Sequence, residues 1–531
     1  MEIFKIYSWL DRTAPWIAFA IAAIAVLSTQ PYFVGFVQGH HGWVSSHYLA
    51  ILQHSTWENW FVGYTLTNQV TPDEVRYVYW NRYPAIGSTI QRLLTLEFND
   101  TLAEKIHASR VFMNVVFILT MAFGYLVLSK LIKRRKTAMA IVLVTFSSRH
   151  FLLYKDMVFA EQVSILASLI ALYAIQRFYD NGKIGQLIAL IAVTLSIGRG
   201  FPVLPLLLLW CIWAYLEYWR SKKEMLDTAR RLARTSAFVL LFGLSLTGIY
   251  TLYNVYVESR ISGVSLGETT IVEAATRRGG LQKGFNAVHK EKRKWKRFIK
   301  QQSRRLRVEL FPIPRFILDR VPEKLRAPEC STSSCHSAVL SVLTMGLFFI
   351  WFFYWRDWSA AQRCVSVLLL LYGAVWLSMA RNLAIFHDYT ALYYYGVPLV
   401  LYGSLASRLP AKISPLLLIV ALTLFLVNNA DTNHRKQRMA NKSNWIPENF
   451  QRIAENLPLE KVVFFERGYA RFLKGRPYAA GFLLPDNPVT NNRDIADYLI
   501  TYKKNETEEQ LASGNDIVYL YQIHHDQAAS E

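Results

Sequence analysis

VFMNVVFILTMAFGYLVL, residues 111–128, runs without a single charge. About 20 predominantly apolar residues are needed for a helix to cross a bilayer core. The run shows no strict alternation of apolar and polar positions, so it reads as a helix rather than a barrel strand. Inside lipid a helix satisfies its own backbone hydrogen bonds. Working outward, WIAFAIAAIAVLST (16–29) and SVLLLLYGAVWLSMA (366–380) are equally free of charge. Spans are expected near 15–38, 109–131, 137–150, 158–177, 184–198, 201–219, 236–256, 338–355, 363–380, 391–407 and 414–430, about eleven in all. With 53% hydrophobic residues, the chain reads as an α-helical polytopic membrane protein, residues 1–430, followed by a small α/β domain, 431–531. The N-terminal MEIFKIYSWLDRTAP carries no cleavage site, so the first span is expected as a retained anchor.

The net charge of +21 suggests nucleic acid in a soluble protein. Here the bases collect in loops, where they set topology and meet anionic headgroups, and no nucleic-acid partner is expected. The short basic loops KLIKRRK, QRFYDNGK, RSKKEMLDTARRLAR, RDWSAAQR and SRLPAK all fall on one side when the N-terminus is placed in the cytoplasm. Segments 39–108, 149–157, 257–337, 381–390 and the tail then lie outside a plasma (inner) membrane. The 257–337 loop is itself basic, but long loops translocate largely regardless of charge. Of four cysteines, Cys211 and Cys364 fall in apolar runs. Cys330 and Cys335 share the polar loop CSTSSC, where an oxidising compartment would allow a bridge.

The outer segments hold the polar residues of interest. The first contains His40, His41, Glu58 and Arg82. Imidazole is suited to accept a proton near neutral pH, although adjacent histidines on a helix point about 100° apart and make a poor metal pair. Asp156 and Glu161 flank the start of a very apolar helix. A carboxylate among Val158, Phe159, Val163 and Ile165 is costly and points to function, while a helix-start acid interacting with the dipole is the plainer alternative. Arg199, between two glycines and before Pro202, is either a turn or a phosphate contact. Arg381, His387, Asp388 and Tyr389 precede the aromatic run Tyr393–Tyr395, which suits an interfacial belt. No GxxxxGK[ST] or GxGxxG fingerprint occurs, so no ATP-driven pump or cytosolic sugar-nucleotide enzyme is indicated.

In this pattern the chain resembles the GT-C superfamily of polyprenyl-phosphate-sugar glycosyltransferases, of the protein O-mannosyltransferase and aminoarabinose-transferase type. The similarity rests on Gly39-His40-His41-Gly42-Trp43 after the first span and on Tyr79-Trp80-Asn81-Arg82-Tyr83-Pro84. Arg110 at the second span, Glu161 with Asp156 nearby, and Phe386-His387-Asp388-Tyr389 extend it. It covers roughly the first 200 residues and 380–400. The resemblance implies a GT-C-like bundle and an inverting transferase that moves a sugar from a polyprenyl-phosphate donor to a glycan, lipid or protein acceptor at the outer face of the membrane. It implies catalytic roles for His40, His41 and Glu161. Substrate contacts are implied for Glu58, Arg82, Tyr83, Asp156, Arg199, Arg381, His387, Asp388 and Tyr389. Room remains for a divalent metal, Mg or Mn, on His41 and Glu161. The family's first-loop acid has no counterpart at 39–43. Either His40 or His41 takes the proton, or Glu58 folds into the site, or the chemistry is lost. The alternative reading is a non-catalytic polytopic protein, such as a lipid or glycolipid transporter or an assembly subunit.

Overall fold

The computed structural model describes residues 2–28, 40–65, 78–79, 85–197, 200–221, 225–269, 288–310, 312, 335–380, 384, 387–441, 445–468, 472–473, 479–490, 492–504, 510–514 and 518–523. The chain opens with α1 (Glu2–Ser28) and α2 (His40–Gln53), then a two-stranded antiparallel ribbon of β1 (Tyr64–Thr65) and β2 (Val78–Tyr79). There follow α3 (Ala85–Thr95), α4 (Leu102–Ile132), α5 (Arg135–Phe146), the short α6 (Arg149–Tyr154), α7 (Ala160–Asn181), α8 (Ile184–Ile197), α9 (Gly200–Arg220) and α10 (Leu226–Ser262). Next come α11 (Val288–Leu310), α12 (Cys335–Tyr354), α13 (Ala360–Met379), a 3-10 segment Asp388–Tyr394, α14 (Gly396–Ala406) and α15 (Ser414–Asn441).

Every segment expected as a span contains a helix. Among the described residues, six are long and apolar enough to cross a membrane: Leu102–Ile132, Glu161–Asn181, Pro202–Arg220, Leu226–Ser262, Ala360–Met379 and Ala411–Met439. The expectation of about eleven is therefore met only in part, because segments such as α5, α8 and α14 are too short to cross alone. The outer surface of the bundle is apolar: Leu252, Ile24 and Ile419 are more than 60% exposed. A patch of that kind demands lipid rather than water.

Local sequence fixes the helix ends. Thr101 and Glu104 form a reciprocal capping box at the start of α4, with Glu104 N–H donating to the Thr101 hydroxyl and Thr101 N–H donating to the Glu104 carboxylate. Gly182 closes α7 in the left-handed region at φ 65°. Within the bundle α4 packs on α7, α7 on α8, α9 on α10 and α15 on α5. At Gly373 of α13 an added Cβ would sit 2.2 Å from the Tyr393 carbonyl oxygen. This glycine lets the 3-10 segment press directly against α13.

The C-terminal unit begins with α16 (Trp445–Asn456) and includes α17 (Ala479–Leu483). Its strands are β3 (Val463–Phe465), β4 (Val489–Thr490), β5 (Tyr498–Thr501), β6 (Gln510–Gly514) and β7 (Val518–Gln522). They form one mixed sheet in the order β4-β3-β5-β7-β6, with β3 parallel to both neighbours and β7 antiparallel to β5 and β6. The unit docks on the end of the bundle that carries α2. There α17 packs on α2, the His54 imidazole donates to the Pro485 carbonyl at 3.0 Å, and Leu102 N–H donates to Gln451 Oε1 at 3.2 Å. The boundary expected at residue 430 falls inside α15. Its polar continuation looks like the end of a span, but one stripe of it, Asn433 and Lys436, is buried while His434, Gln437 and Arg438 are exposed.

Candidate functional site

Three elements converge at that end: the start of α2, the link Lys155–Phe159 between α6 and α7, and the last turns of α15. The link is locked to α2 by Val158 N–H, which donates to Ser45 Oγ at 3.1 Å. This places the Asp156 carboxylate beside His41. The His41 Nε2–Asp156 Oδ1 distance is 3.0 Å, and Lys436 Nζ donates to the same oxygen at 2.5 Å. His41, Asp156 and Lys436 are 2%, 1% and 0% exposed. Lys155, also fully buried, donates to Asn429 Oδ1. Buried Arg110 of α4 adds its positive charge to the surroundings of Asp156. The His41 ring lies nearly parallel to Tyr154 at 6.2 Å, Tyr154 meets Tyr389 edge-on at 6.1 Å, and Tyr389 stacks with His387 at 5.1 Å. The result is an aromatic wall beside an ionic centre.

The electrostatics follow from this arrangement. Burial alone would push the Asp156 pKa up, but Lys436, His41 and Arg110 together hold it well below the usual carboxylate range. Burial is also the dominant effect at His41, lowering it from 6.5 to about 4 against the pull of Asp156. His41 is therefore neutral near pH 7. An ionised carboxylate only accepts, so Nε2 carries the imidazole proton and donates it to Asp156. The other ring nitrogen, Nδ1, is buried and has no hydrogen-bond partner among the described residues. Lys155 is pushed well down, first by burial and then by the neighbouring Lys436 charge. The Asp156 carboxylate thus faces two cations, Lys436 and Arg110, an arrangement that leaves room for one further negative charge.

The depressed His41 pKa links to stability. Between pH 6.5 and about 4 the unfolded chain binds a proton at His41 that the folded chain does not. Stability should fall as pH drops through that window, by about 3 kcal/mol in total for this residue. Thermal midpoints across pH should show this loss in the native protein, and His41→Gln should remove that component.

The placement of the expected site residues is mixed. His41 and Asp156 come together. The acid against His41 is thus Asp156, expected as a substrate contact, rather than Glu161, expected as its catalytic partner. Glu161 lies in the first turn of α7, buried at 3% exposure and not turned to lipid. Its charge acts on the buried Tyr372 of α13. Tyr389 and His387 line the aromatic wall. Glu58 is exposed on the turn after α2, where a Thr56 hydrogen bond holds its pKa low, and it stays outside the buried cluster. The side chains of His40, Cys335 and Asp388, and residues Arg82, Tyr83, Arg199, Cys330 and Arg381, lie outside the described residues, and with them the expected Cys330–Cys335 bridge.

The described residues assemble no divalent-metal site on His41 and Glu161. The oxygen of Asp156 nearest His41 is already taken by an ammonium and an imidazole N–H. Among the described residues no three His, Cys, Asp or Glu side chains group to hold an ion.

Several members of the cluster were not foreseen. Lys436 falls in the stretch expected to begin the C-terminal domain and Lys155 in the short outer segment 149–157, and the sequence singles out neither. The signal that could have found Lys436 is a stripe at Asn429, Asn433 and Lys436, spaced i, i+4, i+7 on one face of a helix. All three are buried.

The architecture is similar to that of known structures. Against ArnT from Cupriavidus metallidurans bound to undecaprenyl phosphate, the TM-score is 0.53 at 10% identity, covering 98% of this chain and 100% of that one. Against the Archaeoglobus fulgidus oligosaccharyltransferase in the apo form it is 0.49 at 12% identity, covering 93% and 70%. No protein-family model and no curated protein matches the chain. The likeness to ArnT shows that the chain has a GT-C fold.

Proposed function

We propose that this chain is a membrane-embedded inverting glycosyltransferase that moves a sugar from a polyprenyl-phosphate donor to a hydroxyl of a glycan, lipid or protein. In this reading the site opens to the outer face of the inner membrane, the N-terminus is cytoplasmic, and the C-terminal unit is extracytoplasmic. Two supports are the GT-C fold and its likeness to a structure that holds undecaprenyl phosphate. The observation that carries the proposal is the His41 imidazole. It is neutral, held through Nε2 by Asp156, and has a buried Nδ1 lone pair with no partner among the described residues.

The chemistry then runs as follows. The acceptor hydroxyl gives its proton to His41 Nδ1 as its oxygen bonds to the anomeric carbon. The bond from that carbon to the donor phosphate breaks, and the electron pair leaves with the polyprenyl phosphate. Attack from the face opposite the leaving group inverts the anomeric centre. Asp156 fixes the tautomer and stabilises the imidazolium as it forms. Lys436 and Arg110 provide preorganised positive charge for the departing phosphate. His41 thereby takes the role of the missing first-loop acid.

The test is transfer itself. The protein reconstituted in lipid is offered a panel of polyprenyl-phosphate sugars with candidate acceptors, and released polyprenyl phosphate is followed by mass spectrometry. Wild type should turn over at least one donor, and Asp156→Asn should lower the rate by about a hundredfold, because an amide holds the ring without stabilising its cation. Absence of transfer from every donor, or full activity in Asp156→Asn, would overturn the proposal.

A further inference from the structure

Helix α11 belongs to the very basic stretch KEKRKWKRFIKQQSRRLR, residues 290–307, and the proposed chemistry does not use it. Its inner stripe is fixed to the loops around the site. Phe298 and Gln302 are buried, and Gln302 donates to the Ala384 carbonyl at 2.9 Å and accepts from Tyr394 OH at 3.2 Å. Arg305 donates to Thr390 Oγ1 at 2.9 Å. Glu309, 1% exposed, meets His150 Nδ1 at 2.5 Å and also accepts from the Ser148 hydroxyl. His150 lies on α6, directly before the Lys155–Asp156 link. One helix therefore grips both the α6 side and the 384–394 side of the site.

Its outer face has the opposite character. Lys296, Arg297 and Lys300 are exposed, and so are Trp295 at 39% and Ile299 at 58%. Trp295 and Ile299 are one turn apart on the same face, and Lys296 and Lys300 flank them with the same spacing. Trp295 meets the buried Phe298 edge-on at 5.4 Å, which holds the indole in place. A soluble helix that grips its core this firmly has no need of an exposed Trp and Ile among cations. A helix lying in a headgroup layer does, because the apolar pair enters the acyl boundary while the bases meet lipid phosphates. The neighbouring element agrees: α11 packs against α12, where Leu343, Phe349 and Phe353 are 49%, 62% and 60% exposed and require lipid.

We infer that the outer face of α11 lies in the headgroup layer of an anionic membrane and that anionic phospholipid, through this helix, holds the two site-bearing loops in place. The charge selects the lipid class. Each basic side chain near an anionic surface gains from its potential, and a zwitterionic surface offers no such gain.

The full-length protein is reconstituted in nanodiscs of phosphatidylcholine alone or with phosphatidylglycerol mixed in, and amide hydrogen exchange is followed in peptides spanning 295–310. Phosphatidylglycerol should slow exchange there by about tenfold, the scale expected for three partly screened bases at such a surface. The variant Lys296→Gln/Arg297→Gln/Lys300→Gln should exchange at the same rate in both discs, and its thermal midpoint in detergent should match wild type because all three side chains are exposed. Equal wild-type exchange in the two discs would overturn the inference. So would inorganic phosphate slowing exchange in phosphatidylcholine discs as much as phosphatidylglycerol does, since the helix would then be reading a free anion rather than a surface. Neither outcome depends on whether the protein transfers sugar.

Discussion

His41→Ala should lower sugar transfer by about three orders of magnitude or more at saturating donor, the upper part of the range for a positioned general base. The loss should be in kcat, because Nδ1 meets the acceptor proton only as that proton moves, whereas the aromatic wall and the Lys436 and Arg110 charges proposed to face the donor remain. The pH profile separates this role from a packing role. In the free protein burial lowers His41 to about 4, so kcat/KM should stay flat with respect to this group down to about pH 5. A bound donor phosphate offsets the neighbouring cations and makes the imidazole more basic, so the acid limb of kcat should lie at higher pH than that of kcat/KM. If His41→Ala keeps wild-type kcat, or both limbs coincide and persist in the variant, the imidazole is not the base.

The parts of this site visible in the sequence were those announced by residue type against a hydrophobic background. Uncharged runs fixed the helices, and His41 stood out because an imidazole followed the first span where the resemblance wanted an acid. Asp156 and Glu161 both stood out as carboxylates beside an apolar helix. Which of them meets His41 depends on the chain path between α6 and α7, set by long-range contacts such as Val158 N–H to Ser45 Oγ, and local pattern holds no record of it. The lysines were harder still. A basic residue near a helix end ordinarily snorkels to water, and nothing in NNADTNHRKQRM says that Lys436 turns inward while Arg435 and Arg438 do not. Only the spacing of Asn429, Asn433 and Lys436 carries that information, and it becomes meaningful once the helix is known to continue to Asn441. Among the described residues six of the about eleven expected spans are long and apolar enough to cross, for a related reason: apolar composition marks a segment as buried in lipid or protein without saying whether it is long enough to cross.

Lys436→Met should be among the most destabilising single substitutions in the bundle. Lys436 and Asp156 are fully buried and 2.5 Å apart. Removing one partner of such a pair leaves the other charge buried without its main counterion, which costs about 3–5 kcal/mol. For a chain of this size that corresponds to a fall of roughly 3–5 °C in the thermal midpoint, measurable in detergent. Arg110 and His41 stay near the carboxylate and keep the loss toward the lower end. The pair as a whole is not expected to be strongly stabilising, because bringing two ions out of water offsets most of their attraction. Replacing both, as Lys436→Met/Asp156→Leu, should therefore return the midpoint close to wild type. Transfer should be at least a hundredfold below wild type in that double variant, since His41 has lost the group that fixes its tautomer and stabilises its cation. A double variant as unstable as the single one would mean that the two side chains are not a coupled pair. A double variant that regains both stability and transfer would mean that the ion pair shapes the fold and takes no part in the chemistry.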